Sequence, residues 1–238
     1  MSTDKDSAAR HRYGVLVASA AVVVTGTLGL IGLADAATES DGLAAFDPEL
    51  TAEAVSHRTP VLTAVAQGLT FIGNTPVLVT LTLVTALILW RWTRTLGTPA
   101  VLLLAMIGSS ALSSGLKLLI GRARPDVTVV LGPVSNTFAF PSGHALNSTV
   151  FLVIVAALVW ARIRSLRIRT AILAVAVVMS IGIGLSRVYL GYHWATDVLA
   201  GWTVAVVWLV IVLNVASFAR SHWDQARPPS GDVATGNG

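Results

Sequence analysis

The chain has 238 residues, enough for one domain, of which 54% are hydrophobic and only 12% charged. With a mean hydropathy of +0.75, this composition lies outside that of soluble globular proteins and makes the bilayer the expected solvent. No cysteine is present, which excludes disulfides, thiolate catalysis, iron–sulfur clusters and cysteine-ligated zinc, and the net charge of +4 takes its meaning from where the sixteen Lys and Arg fall.

Residues 1–13 read as a basic N-terminal tail on the cytoplasmic side, and the first apolar run covers 14–34. Ala34-Asp35-Ala36 resembles a small-x-small cleavage site. A signal core, however, spans about 7–15 residues and this run about 20, so an uncleaved helix is the expectation. Gly26, Gly29 and Gly32 give it a small-residue face suited to close helix packing. Residues 35–58 form an outer loop in which Asp47-Pro48 looks like an N-cap followed by proline at the first helical position. A short interfacial helix is expected there, continuing past Pro60 until Gly73-Asn74-Thr75-Pro76 bends the chain. No chemistry is assigned to this stretch.

Further runs long enough to cross about 30 Å of hydrocarbon lie at 71–92, 99–120, 143–161, 170–190 and 195–216. They lack the alternation of barrel strands, so helices are expected. The fold class is therefore all-α, a polytopic bundle of six transmembrane helices forming a membrane domain over 14–219. The Pro-, Gly- and Ser-rich tail within 220–238 reads as disordered.

With both termini placed in the cytoplasm, eleven of the sixteen cations fall on the inner side: Lys5, Arg10, Arg12, Arg91, Arg94, Arg162, Arg164, Arg167, Arg169, Arg220 and Arg227. This is the bias that orients membrane proteins, and it calls for no nucleic-acid partner. The same topology sends Asp35, Glu39, Asp41, Asp47, Glu49 and Glu53 outside and sets Trp90, Trp92, Trp160 and Trp223 at the inner interface.

Five cations remain for the outer face: Arg58, Lys117, Arg122, Arg124 and Arg187. A single charge at a helix end is ordinarily a snorkelling residue. Here three segments converge on one face, each carrying a polar cluster: Lys117 to Pro125, Pro141 to His144, and Ser186 to Asp197. The middle one opens the fourth span, so the Ser142 and Gly143 amides are expected among the unpaired donors of a helix N-terminus, where the dipole favours an anion. In the last, His193 and Asp197 are four residues apart and share one face of a sixth helix expected to start near Gly191. There the carboxylate can hold one imidazole nitrogen and leave the other free to attack.

Lys117-(six residues)-Arg124-Pro125, then Pro141-Ser142-Gly143-His144, then Ser186-Arg187-(five residues)-His193-(three residues)-Asp197 resembles the three-part signature of the type 2 phosphatidic acid phosphatase superfamily. The resemblance covers about residues 70 to 216 and runs to its compact six-span bacterial lipid phosphatases, of the kind acting on undecaprenyl diphosphate or phosphatidylglycerol phosphate. It implies that His193 attacks phosphorus to form a phosphohistidine, Asp197 holds His193, and His144 protonates the leaving oxygen. Lys117, Arg124, Ser142, Gly143 and Arg187 would bind the phosphate oxygens. The residue types agree with these roles, since guanidinium forks suit phosphate, two histidines supply nucleophile and acid near neutral pH, and no carboxylate cluster is visible to hold magnesium. No metal and no cofactor are expected, and the localisation implied is the plasma (inner) membrane with the site facing the extracytoplasmic side.

Arg122 and Asp126 flank the first motif, and rim electrostatics is the role given them. Ser186 is expected to support local structure, and His11, His57 and His222 to be surface histidines. A transporter would instead place ionisable groups near mid-membrane, and the soluble haloperoxidases that share the signature lack six spans. Phosphoryl transfer to an acceptor other than water stays open, as do the lipid substrate and the oligomeric state.

Overall fold

The computed structural model describes residues 2–226, with side chains described for 13–221. Eight α-helices make up the chain: α1 (Ser2–Glu39), α2 (Asp47–Ser56), α3 (Pro60–Ile72), α4 (Thr75–Thr93), α5 (Gly97–Ile120), α6 (Gly143–Trp160), α7 (Leu166–Tyr189) and α8 (Ala195–Ala226). Two 3₁₀ turns, Gly42–Phe46 and Val127–Val129, lie in the connections, and no strand occurs among the described residues. Six of the helices, α1 and α4 to α8, are long and apolar enough to cross a membrane. Each expected span is present.

The boundaries differ where packing extends a helix. α1 is helical from Ser2 through Glu39, so most of the expected N-terminal tail continues the helix. α8 runs to Ala226, seven residues into the stretch expected to be disordered, and the remainder of that tail, 227–238, lies outside the described residues. Ahead of the second span the chain breaks twice, once inside the stretch anticipated as one continuous helix and once at the expected bend. The chain leaves α2 at His57, and Thr59, in extended backbone, caps α3 by accepting from Leu62 N at 3.2 Å, with Pro60 at the first helical position. A second break at Gly73-Asn74 ends α3, and Pro76 opens α4.

α6 is the central helix, packed against α5, α7 and α8, and Leu146, Val150 and Ile154 on it are fully buried. The outward faces are as apolar as the core: Leu104, Ile107 and Val178 are exposed, which suits helices solvated by lipid tails. On α1, Gly26 allows a close approach of α8, since a Cβ there would stand 2.5 Å from Val207, whereas Gly29 and Gly32 face open space. Trp92 and Trp160 lie at the ends of α4 and α6 under the guanidinium groups of Arg162 and Arg169, at 5.3 and 5.4 Å from the ring centres. Trp223 lies outside the described side chains.

The six spans alternate, so the end of α5, the starts of α6 and α8 and the end of α7 meet at the face opposite that tryptophan and arginine belt. α5 stops there because Gly121 adopts the left-handed conformation (φ 66°) and returns its N–H to Lys117 O at 3.0 Å. The chain then crosses the face as an irregular segment, 121–142, pinned by Ala139 N to Arg122 O at 2.9 Å and Leu131 N to Leu190 O at 2.9 Å.

Candidate active site

Ser142 caps α6, its hydroxyl accepting from Ala145 N at 3.5 Å. Its own amide is not free as expected, because it donates to Asp197 O at 2.9 Å and so ties the start of α6 to the first turn of α8. The Gly143 and His144 amides have no acceptor among the described residues, so they are the open donors of this helix end. Lys117 reaches the same loop from α5: Nζ donates to Phe138 O at 2.7 Å, Ala139 O at 3.3 Å and Pro141 O at 2.8 Å. An ammonium has three protons, and here all of them hold the 138–141 backbone in place. The charge still faces the site.

α8 begins at Ala195, four residues later than expected, so His193 precedes the helix. The 193–197 pairing survives because the turn folds back. His193 Nδ1 lies 3.3 Å from Asp197 Oδ2, which also accepts Trp194 N at 3.0 Å. Gly191 (φ 79°) makes the turn possible, since a Cβ there would lie 2.3 Å from Val129 O. On the other side of the ring, Arg124 Nη1 lies 3.3 Å from His193 Nε2. A guanidinium can only donate, so Nε2 must be the acceptor and Nδ1–H the donor to Asp197. His193 is nearly fully buried, and burial first, then Arg124, Arg187 and Lys117, holds its pKa well below the usual imidazole value. The ring is therefore neutral at neutral pH, with its lone pair on Nε2.

Arg124 is fixed by Tyr192 O at 2.6 Å, Thr137 O at 2.7 Å and Thr137 Oγ1 at 3.0 Å. Burial lowers its pKa, offset in part by Asp197. Arg187, 6% exposed, stacks 3.9 Å from the Tyr192 ring centre and donates from Nη1 to Thr70 Oγ1 at 2.5 Å. Its Nε–H is buried with no acceptor among the described residues, an arrangement that costs about 1–3 kcal/mol unless an acceptor arrives. His144 Nε2 lies 2.9 Å from Asn74 Oδ1.

Lys117, Arg124, Gly143, His144, Arg187 and His193 line one cavity of about 360 Å³. Of the eight residues expected at the site, Ser142 and Asp197 alone are absent from its wall, each buried one layer behind it. Thr75, Ser110 and Asn147 line both this cavity and a second, mainly apolar groove of about 370 Å³ between α4 and α5, walled by Leu78, Val79, Leu103 and Met106. Among the described residues no three His, Asp or Glu side chains gather into a metal-ligand cluster.

Two expectations about the surroundings need correction. Arg122 is no rim residue: its side chain is 9% exposed and bridges Asp197 Oδ1 at 2.7 Å and Asp47 Oδ2 at 2.8 Å, with Thr196 Oγ1 at 2.8 Å. Asp47 does not cap α2. Its carboxylate is buried and accepts from Arg122, from Thr196 N at 3.0 Å and from the Thr196 hydroxyl, so the outer loop does contribute to the site. Asp126 stays exposed and forms a local turn, accepting from Thr128 N at 2.8 Å and Thr128 Oγ1 at 2.6 Å, which lowers its pKa. Elsewhere, Arg58 joins Tyr189 O and Val129 O as a structural tie. Ser186 Oγ donates to Ile183 O within its helix as expected. His57 is exposed and pairs with Glu53 one turn back, and the side chains of His11 and His222 lie outside those described.

Residues 98–221 match the PAP2 superfamily. The chain belongs to that superfamily. It is 28% identical over 179 residues, 74% of this chain and 86% of the relative, to phosphatidylglycerophosphatase B of Bacillus subtilis. It is 29% identical over 126 residues to the undecaprenyl-diphosphatase of Sulfolobus acidocaldarius, covering 50% of this chain and 55% of that protein. Among solved structures it is similar to the transmembrane PAP2-type phosphatidylglycerolphosphate phosphatase of Bacillus subtilis, with a TM-score of 0.75 and 27% identity over 82% of this chain and 96% of that one. The fold is also shared with Aquifex aeolicus LpxE, at a TM-score of 0.56, 22% identity and 71% of this chain. The PAP2 match spans all three polar clusters.

Proposed function

We propose that this protein is a membrane phosphatase that hydrolyses a phosphomonoester or diphosphate of a lipid through a phosphohistidine on His193. The observation that carries the proposal is the cavity itself. A neutral histidine with its lone pair on Nε2 opens onto a space lined by Lys117, Arg124 and Arg187 and by the open end of α6, and an apolar groove between α4 and α5 adjoins that space at Thr75, Ser110 and Asn147. The polar end suits a phosphate, whose oxygens would supply the acceptor that Arg187 Nε–H lacks. The apolar groove suits a hydrocarbon tail entering sideways from the bilayer.

In this reaction the Nε2 lone pair attacks phosphorus while the bond from phosphorus to the leaving oxygen breaks. Asp197 balances the positive charge that grows on the imidazole, and Arg124, Arg187 and the Gly143 amide take the charge on the equatorial oxygens. His144 gives a proton to the leaving oxygen. It then removes one from water as the water attacks phosphorus, and the P–N electron pair returns to Nε2. No step requires a metal. The relatives act on phosphatidylglycerophosphate and undecaprenyl diphosphate according to their names, and these are the substrates to try first.

The test is phosphate release by purified protein in detergent with EDTA, from undecaprenyl diphosphate, phosphatidylglycerol phosphate, phosphatidic acid and a soluble ester, beside His193→Ala. Release from a lipid, lost by about 10³-fold or more in the variant, is expected. Folded protein that releases none from any of them refutes hydrolysis and leaves transfer to another acceptor as the reading to pursue.

A further inference from the structure

The break between α3 and α4 lies outside the three signature segments, yet it touches both sides of the cavity. Thr70, in the last turn of α3, holds Arg187, and Asn74 holds His144. Asn74 is the N-cap of α4 by position, but its side chain caps nothing there; it turns toward His144 instead. Gly73 brings the break into contact with the ring, because a Cβ at 73 would lie 3.0 Å from His144 Cδ2 and 2.7 Å from Ile183 Cγ2.

We infer that Asn74 is a positioning residue for the general acid, fixing His144 so that Nε2–H is held and Nδ1 takes up and releases the proton that moves. This rests on the proposed role of His144. An amide oxygen only accepts, so Asn74 Oδ1 requires the proton on Nε2. The two histidines of the site are thereby held in opposite tautomers by partners of different charge. The nucleophile is paired with a carboxylate, Asp197, behind the cavity wall. The acid is paired with a neutral amide between Gly73 and Thr75, which line the cavity together with Lys117, Arg124 and Arg187. A carboxylate at position 74 would make the imidazole a weaker acid and would face the phosphate with like charge. An amide holds the ring without either effect.

The experiment compares leaving groups. An alkyl phosphate with a lipid tail leaves as a poor alkoxide and needs the acid, whereas p-nitrophenyl phosphate leaves as a stable phenolate and needs it little. With Asn74→Ala, kcat on the lipid phosphate is expected to fall by about 30-fold while p-nitrophenyl phosphate stays within about three-fold, and the retained aryl activity shows that the variant is folded. Asn74→Asp, which keeps an acceptor oxygen, is expected to restore part of kcat on the lipid, the rest being lost to the weaker acid, at a KM about ten-fold higher from like-charge repulsion. Equal losses on both substrates in Asn74→Ala, no loss on either, or a kcat in Asn74→Asp as low as in Asn74→Ala would overturn the inference. His144→Ala separates this from the underlying reading. If it shows the leaving-group contrast and Asn74→Ala does not, Asn74 alone is misassigned; if His144→Ala lacks the contrast, the acid role falls and Asn74's with it.

Discussion

At the scale of single residues the site is governed by which groups are kept neutral and which are kept charged. His193 is buried among cations, and its pKa is lowered for that reason. In the proposed reaction the neutral ring is the nucleophile, so the sign of the effect is direct. As pH falls through the ordinary histidine value near 6.5, an unperturbed nucleophile would protonate and activity would drop, whereas His193 stays neutral and reactive until the pH is lower. The acid limb of kcat/KM is therefore expected below the usual histidine range, once the ionisation of the substrate phosphate has been measured and divided out. A limb at about 6.5 would mean that the ring titrates as if exposed.

At the scale of elements, the loop helix α2 is fastened to the catalytic layer by one guanidinium. Arg122 neutralises Asp197 on one side and Asp47 on the other, and Thr196 closes the ring of hydrogen bonds. Removing one member of a buried pair strands the others, at a cost of about 3–5 kcal/mol. Arg122→Ala leaves two buried carboxylates facing each other and is expected to lower both thermal stability in detergent and kcat. Arg122→Lys is expected to recover little, because an ammonium cannot span two carboxylates as a planar fork does. A variant that melts and turns over as the parent does would show the bridge to be idle. This bridge was not legible in the sequence, and the reason is physical. His193 and Asp197 sit four residues apart, so local spacing reveals them, whereas Asp47 meets Arg122 across 75 positions, Asn74 meets His144 across 70 and Thr70 meets Arg187 across 117. Asp47-Pro48 even carried a false local meaning, because the pattern of a capping residue is also that of any aspartate before a proline. The one available signal was Arg122, a second arginine two residues before Arg124 at a helix end, where an unpaired charge is costly.

At the scale of the whole molecule, six apolar runs were readable because lipid solvation demands about 20 apolar residues per span, and that demand is written in composition. What hydropathy cannot fix is where polar helix ends stop, hence the longer α1 and α8. The placement of charge gives an expected orientation, and orientation decides which leaflet's lipids reach the cavity. The charged residues and histidines lining the cavity lie toward the face opposite Arg162, Arg164, Arg167 and Arg169. If these arginines face the cytoplasm, the cavity opens on the outside. The chain contains no cysteine, so single cysteines report position without background. Glu49→Cys in α2 and Ser165→Cys before α7 are both exposed positions. In intact cells a membrane-impermeant maleimide is expected to label Glu49→Cys fully and to reach Ser165→Cys only after the membrane is opened with detergent. The reverse pattern would turn the molecule over, and the substrate would then have to be a lipid of the cytoplasmic leaflet.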